Sequence, residues 1–476
     1  MDSSMFFKIK FSFFFPVFYL FVAVSCRTNQ QNLIPEIPPV AAAEHLYPAG
    51  SSYNDKIQIL TERIKSAPDT LTADGTTYFV SNNGNDNNNG VSSGTPWVTL
   101  NKVNNFSFKA GDVVLFERGG IFRGQLRPKS NVSYGAYGTG GKPCIYGSSN
   151  NYANSRWTSL GNNIWVCPEQ FMTDVGIMVF NNGENAGVKE LSVSSLSENF
   201  HFFHNRTDNR VYLYYDGSSP STSLNSIEIG EDRHIIYIPN NGSNITIENL
   251  CLKYGGAHGI YGDGIKNVII RGCELGWIGG SMHVEGERYG NGIENWENAD
   301  NFTIEFCHLY QIYDAALSHQ GTKAAKMNNI VFRNNIIEYC TYSIEYFQRD
   351  ANGIMSNILY DGNIMRFAGY GWGHQRPDKE EAAHIKSWNH PNKSVNFIIK
   401  NNILDTSRYD LFNIRSRSGD MYLPTVDSNI YIQQSNGNAG YWGKSRLRLD
   451  EGSAFNLGIM DKNYEIFLFH NSHDEL

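Results

Sequence analysis

Six segments of the chain repeat one pattern: an asparagine, a run of alternating apolar residues, a polar break and a second short apolar stretch. They are NITIENLCL (244–252), NVIIRGCEL (267–275), NFTIEFCHL (301–309), NIVFRNNII (329–337), NILYDGNIM (357–365) and NFIIKNNIL (396–404). The leading residues Asn244, Asn267, Asn301, Asn329, Asn357 and Asn396 are 23, 34, 28, 28 and 39 residues apart. Period-two alternation followed by a turn residue is strand chemistry. A unit of this size cannot bury its own apolar face, so successive units must stack and share a core. Asparagine at a fixed place in stacked units predicts ladders in which each side-chain amide bonds the next. The expected fold class is all-β: a right-handed parallel β-helix running as one solenoid.

Composition fits. Charged residues are only 18% of the chain, too few for the solvated outer faces of helical bundles. Forty-five glycines supply turns. With 39 basic and 47 acidic residues the net charge is −8, which disfavours a nucleic-acid partner. The repeats at 240–420 resemble the pectate-lyase-like superfamily of parallel β-helices. The run Thr77 to Ser81, the Asn/Gly-rich stretch to Asp86, Pro96 to Leu100 and Gly111 to Phe116 resemble the opening coils of secreted bacterial members. Fold alone does not give function.

Residues 1–25 read as a signal peptide: Lys8 and Lys10 precede a short apolar run from Phe11 to Ser25. Ala23-Val24-Ser25-Cys26 resembles a bacterial lipobox, which implies lipidation of Cys26 and a membrane contact only through that lipid. Residues 26–75 then read as a tether and lead-in, and 76–476 as one β-helix domain with an inserted β-rich element at 151–235. A secreted or surface lipoprotein is the expectation. The alternative is the ER lumen, because the chain ends His473-Asp474-Glu475-Leu476. No CxxC pair occurs, and Cys273 and Cys307 share a repeat position, which suggests stacked thiols.

Each repeat continues to a second apolar anchor: Ile260, Ile293, Leu317, Ile344, Ile385 and Phe412. Ile293 and Ile385 come ten or more residues late, through extra segments near 277–289 and 370–383. Insertions in solenoids gather on the functional face, so these are expected to wall a groove. One residue past each anchor, an outward column reads Tyr261, Glu294, Ser318, Glu345, Lys386, Asn413. Three past it, a column reads Asp263, Trp296, Gln320, Phe347, Trp388, Arg415. Aromatic faces beside carboxylates suit a polysaccharide or oligosaccharide partner.

Glu294 and Glu345 lie two rungs apart, roughly 9–10 Å, the upper edge for an inverting glycosidase pair. Candidate catalytic residues are Glu345, Glu294, Lys386, Asp314 and His319. Candidate substrate contacts are Trp296, Phe347, Trp388, Arg376, Arg415, His374 and His384. No metal site is signalled with confidence. The favoured reading is glycoside hydrolysis, which needs no cofactor. The alternative is a polysaccharide lyase with Lys386 as base, Arg376 or Arg415 as clamp, and Ca²⁺ held by Glu294 and Glu345. The third reading is a glycan-binding protein without catalysis.

Overall fold

A computed structural model of the chain describes residues 7–9, 47, 50–284, 286–375, 381–435, 437–449, 460–461 and 463–469. Cys26, Arg376 and the C-terminal HDEL lie outside the described residues.

The repeats form the coils of a right-handed parallel β-helix. Each coil has three faces. The leading-asparagine strands make the ladder face, exemplified by Ser243–Glu248, Lys326–Arg333 and Ile354–Asp361. The next strands make a third face, from Ile121–Arg123 to Glu465–Phe469. The anchor strands make a groove face that stacks Ile236, Ile260, Ile293, Leu317, Ile344, Ile385 and Phe412 in one register. Those anchors are all buried in the shared core.

The asparagine ladder forms except at one step, where Asn357 Nδ2 donates to Asn328 in place of Asn329. Nδ2 of Asn267 donates to Asn244 at 2.7 Å, Asn301 to Asn267 at 2.8 Å and Asn329 to Asn301 at 2.9 Å. These residues sit at φ near +55°, a left-handed conformation that asparagine tolerates better than most residues. A second ladder is fully buried. Asn335, Asn363, Asn402 and Asn429 each bond the next through side chain and backbone. Cys307 stacks at the same position, its N–H on Asn335 Oδ1 at 2.9 Å. Cys273 and Cys307 are buried free thiols.

The structure adds detail to two parts of the reading. Within the expected tether, Tyr53–Lys65 is an α-helix, capped by Ser52 and Asp55. Ile57, Leu60 and Ile64 recur at helical spacing and pack on Ile336, Ile364 and Ile403 of the third face. The inserted element leaves the solenoid after Cys144–Tyr146 and returns at Ile236. It comprises a three-stranded and a five-stranded sheet around its own core, which includes Phe171, Phe180, Phe202 and Leu213.

Candidate functional site

Along the groove strands, residues alternate between the solenoid interior and the outer surface. The anchors point in, so the next residue points out. The register places Tyr261, Glu294, Ser318, Glu345, Lys386 and Asn413 in one column, as the spacing predicts.

Glu294 is 2% exposed. Its Oε2 accepts from Ser318 Oγ and from Asn291 Nδ2, and its Oε1 has no hydrogen-bond partner. Burial outweighs those donors, and with the nearby charges of Glu345 and Asp314 it pushes the carboxyl up to about 8. Glu294 is therefore a neutral acid at pH 7. Glu345, two rungs on, has different company. Gln320 Nε2 donates to its Oε2 at 2.7 Å, and Trp388 Nε1 donates to its Oε1. Both oxygens of Glu345 thus accept hydrogen bonds, whereas Oε1 of Glu294 accepts none. Ser318 and Gln320 belong to the rung between the two acids, so both head groups lean over that rung.

Lys386 follows Glu345 in the column. It is 2% exposed, bonded to Glu381 and 4.0 Å from the centre of the Trp388 ring. Burial lowers its pKa, against the pull of Glu381 and Glu345. The Arg415 guanidinium carbon is 3.9 Å from the centre of the Tyr441 ring. Trp296 and Phe347 meet edge to face at 6.1 Å on either side of the Gln320 rung. Trp388, expected as a sugar platform, is also a hydrogen-bond partner of Glu345.

Other candidates fall elsewhere. His319 is wholly buried inside the solenoid, stacked on Tyr346 and bonded to the Tyr360 hydroxyl at 2.6 Å. Burial pushes it down to about 3, so it is a neutral core residue and not a groove base. His384 also points inward, between Ser343 Oγ and the Asp405 carbonyl, and burial pushes it to about 3 as well. It does not contact substrate from the groove. His374 sits in the short 3-10 turn Trp372–Gln375, its ring 6.4 Å from Tyr409. Asp314 stands at the corner entering the groove strand, close enough to Glu294 to raise its pKa.

The two expected walls are one. The inserted element and both insertions leave the same corner of the coil, between the third face and the groove face. Asp174 of the inserted element accepts from Met282 N–H at 2.7 Å and from Lys189. Trp372 packs on Tyr313 at 5.2 Å, and Gln375 is bonded to Gly187 and Lys189 at 2.9 Å each. Trp372 thus covers the corner at Tyr313, where a gap between the walls is expected.

The positioning residue Asn291 escapes the sequence argument. It belongs to a third column, two residues before each anchor, where the corner breaks the alternation and His234, His258, Asn291 and Asp410 meet the outward residues Tyr261, Glu294 and Asn413. The same count made backwards from each anchor finds it. Among the described residues no three His, Cys, Asp or Glu side chains are grouped closely enough to hold a metal ion. Glu294 and Glu345 stand two rungs apart with separate partners.

No family model matches the chain. A lacto-N-biosidase of Bifidobacterium longum subsp. longum is 38% identical over 101 residues, 18% of this chain. The chain spans only 6% of that relative's length. Among solved structures, the lacto-N-biosidase of Eubacterium ramulus, assigned to GH136, is similar over 87% of this chain and 70% of its own. Its TM-score is 0.38 and its identity 14%. A XylC complex with xylose covers 78% and 77%, at TM-score 0.41 and 12% identity. The polygalacturonase of Erwinia carotovora ssp. carotovora covers 78% and 94%, at TM-score 0.34 and 12% identity.

Proposed function

We propose that the protein is a carbohydrate-active enzyme that hydrolyses glycosidic bonds in the groove, with Glu294 as general acid and Glu345 as base. One observation carries the reading. Two carboxyl groups share a column in different surroundings: burial holds Glu294 protonated, while both oxygens of Glu345 accept hydrogen bonds. Such a division is how acid and base roles are assigned within one site. Glu294 presents a carboxyl oxygen that no protein group engages, which suits delivery of a proton to a leaving oxygen. Glu345, held by Gln320 and Trp388, would take a proton from water on the opposite face of the sugar. A backbone separation of two rungs, roughly 9–10 Å, stands at the upper edge of the inverting range and leaves room for a water between the acids. The partial match to a lacto-N-biosidase supports the same reaction class.

A second reading, β-elimination on a uronic acid, is favoured by the lowered pKa of Lys386 beside Glu345. A panel of polysaccharides and oligosaccharides, read by reducing ends and by ultraviolet absorbance, separates the two. Hydrolysis gives reducing ends without new absorbance. A lyase gives an absorbing unsaturated sugar, and that outcome would transfer the chemistry to Lys386. A protein that binds glycans but cleaves none refutes both.

A further inference from the structure

The groove face continues beyond the acid pair toward the N-terminal end of the solenoid. Leu126 pairs with Ile236, which places Arg127 in the same outward column as Tyr237, Tyr261 and Glu294. Arg127 is three rungs from Glu294, roughly 14 Å. The floor between them is aromatic. The rings of Tyr237 and Tyr261 are 5.9 Å apart and 4° from parallel, and His234 stacks on Tyr261 at 4.7 Å and 10°. His258 continues the stack, 5.1 Å from His234. Burial keeps both imidazoles neutral, His234 at about 4 and His258 well below the usual range. Each accepts a backbone N–H through Nδ1, so its remaining proton is on Nε2.

This floor ends at a cavity of about 480 Å³ beside Asn101 and Asn105. Arg123, Arg127, Lys129 and Arg233 line it, and no carboxylate does. Arg123 is balanced by Glu228 at 2.7 and 2.9 Å, and Arg233 lies 3.7 Å from Glu231. Arg127 reaches only the amide oxygen of Gln125, at 2.8 Å. Neither Arg127 nor Lys129 pairs with an acid among the described residues. The acids in the outward columns of the groove, Asp263, Glu294, Glu345 and Asp410, stand from the Ile260 rung onward. In a chain of net charge −8, two uncompensated cations in a concave site mark a place for an anion.

We infer that the cavity at Arg127 and Lys129 is a distal subsite for a carboxylate- or sulfate-bearing sugar, a few units along from the bond being cleaved. The inference rests on the groove being the glycan site of the proposed function. It adds that the preferred chains carry negative charge at a distance from that bond, toward the N-terminal coils.

The test uses matched oligosaccharides that differ only in whether one sugar carries no charge, a uronic carboxylate or a sulfate ester. Binding to the full chain carrying Glu294→Gln and cleavage by the wild type are both measured. The expected result is about tenfold tighter binding of a charged member, weakening with salt. The ratio should fall to about one in Arg127→Gln/Lys129→Gln and survive in Arg127→Lys/Lys129→Arg. The carboxylate and sulfate arms show which anion is read. Equal binding of charged and neutral members by the Glu294→Gln chain with both cations intact overturns the subsite, as does a preference that survives loss of both cations. A charge preference in binding without cleavage of any member leaves the subsite standing and removes the hydrolase assignment. Cleavage without charge preference does the reverse.

Discussion

Glu294 offers the sharpest measurement. A carboxyl held at about 8 in the folded state and near 4.5 when unfolded keeps its proton only in the folded protein between those values. Through that window folding takes up a proton, so stability falls as pH rises. The stabilisation is complete below pH 4.5 and gone above about 8. The slope is 1.36 kcal/mol per pH unit, which over the shift amounts to about 5 kcal/mol. Glu294→Gln keeps the shape and the acceptor for Ser318 and Asn291 but cannot ionise. The wild type minus the variant, followed by urea denaturation from pH 5 to 9, should therefore show this decline. The difference also cancels the buried His319 and His384, whose lowered pKa values act in the opposite sense below about 6.5. The variant should also lose about 10²- to 10⁴-fold in kcat, the usual contribution of a positioned acid. In the wild type, kcat/KM should drop on the alkaline side near pH 8. Superimposable stability curves for the two proteins would refute the neutral-acid assignment, whatever the activity.

Glu345→Gln should reduce the release of reducing ends by about 10²-fold or more, and unchanged release would dissolve the pair. Trp388→Phe keeps a ring beneath Lys386 but removes the N–H that Glu345 accepts. Its kcat should fall about tenfold to a hundredfold, the worth of a hydrogen bond to a charged group. His319→Gln should lower unfolding stability by about 1–3 kcal/mol and leave the pH optimum in place, whereas a shifted optimum would restore it as a catalytic group. Asn363→Ala interrupts the buried ladder and strands the amide of Asn335, so the urea midpoint should drop by the equivalent of about 2–4 kcal/mol.

Much of the groove could be read from spacing because a parallel coil repeats its register. Once the anchors from Ile260 to Phe412 are counted, Glu294, Ser318, Glu345 and Lys386 must align. What the count cannot supply is contact across the coil. Polar residues two past each anchor look wrong for an interior. His319 is satisfied there by Tyr360, which lies on another face and 41 residues away. Ser387 is satisfied differently, by the backbone of Arg415 on the adjacent rung. The basic end of the groove was hidden for a different reason. Residues 147–235 interrupt the coil between Cys144–Tyr146 and Ile236, so no local spacing links Arg127 to Tyr237. The helix at 53–65 was masked by a Pro-bearing approach, although Ile57, Leu60 and Ile64 carry its period.

The continuous wall also bears on how the molecule comes apart. A solenoid in which each coil touches only its neighbours behaves as a chain of weakly linked units and can peel from either end. Here Gln375 fastens the loop before the Ile385 rung to residues 187–189, which leave the solenoid before the Ile236 rung. That clasp reaches across five rungs, roughly 24 Å. Coils between Ile236 and Ile385 are therefore bound as a block. Under force or in denaturant, the segment should yield in one cooperative step, with single-coil steps confined to the coils outside it.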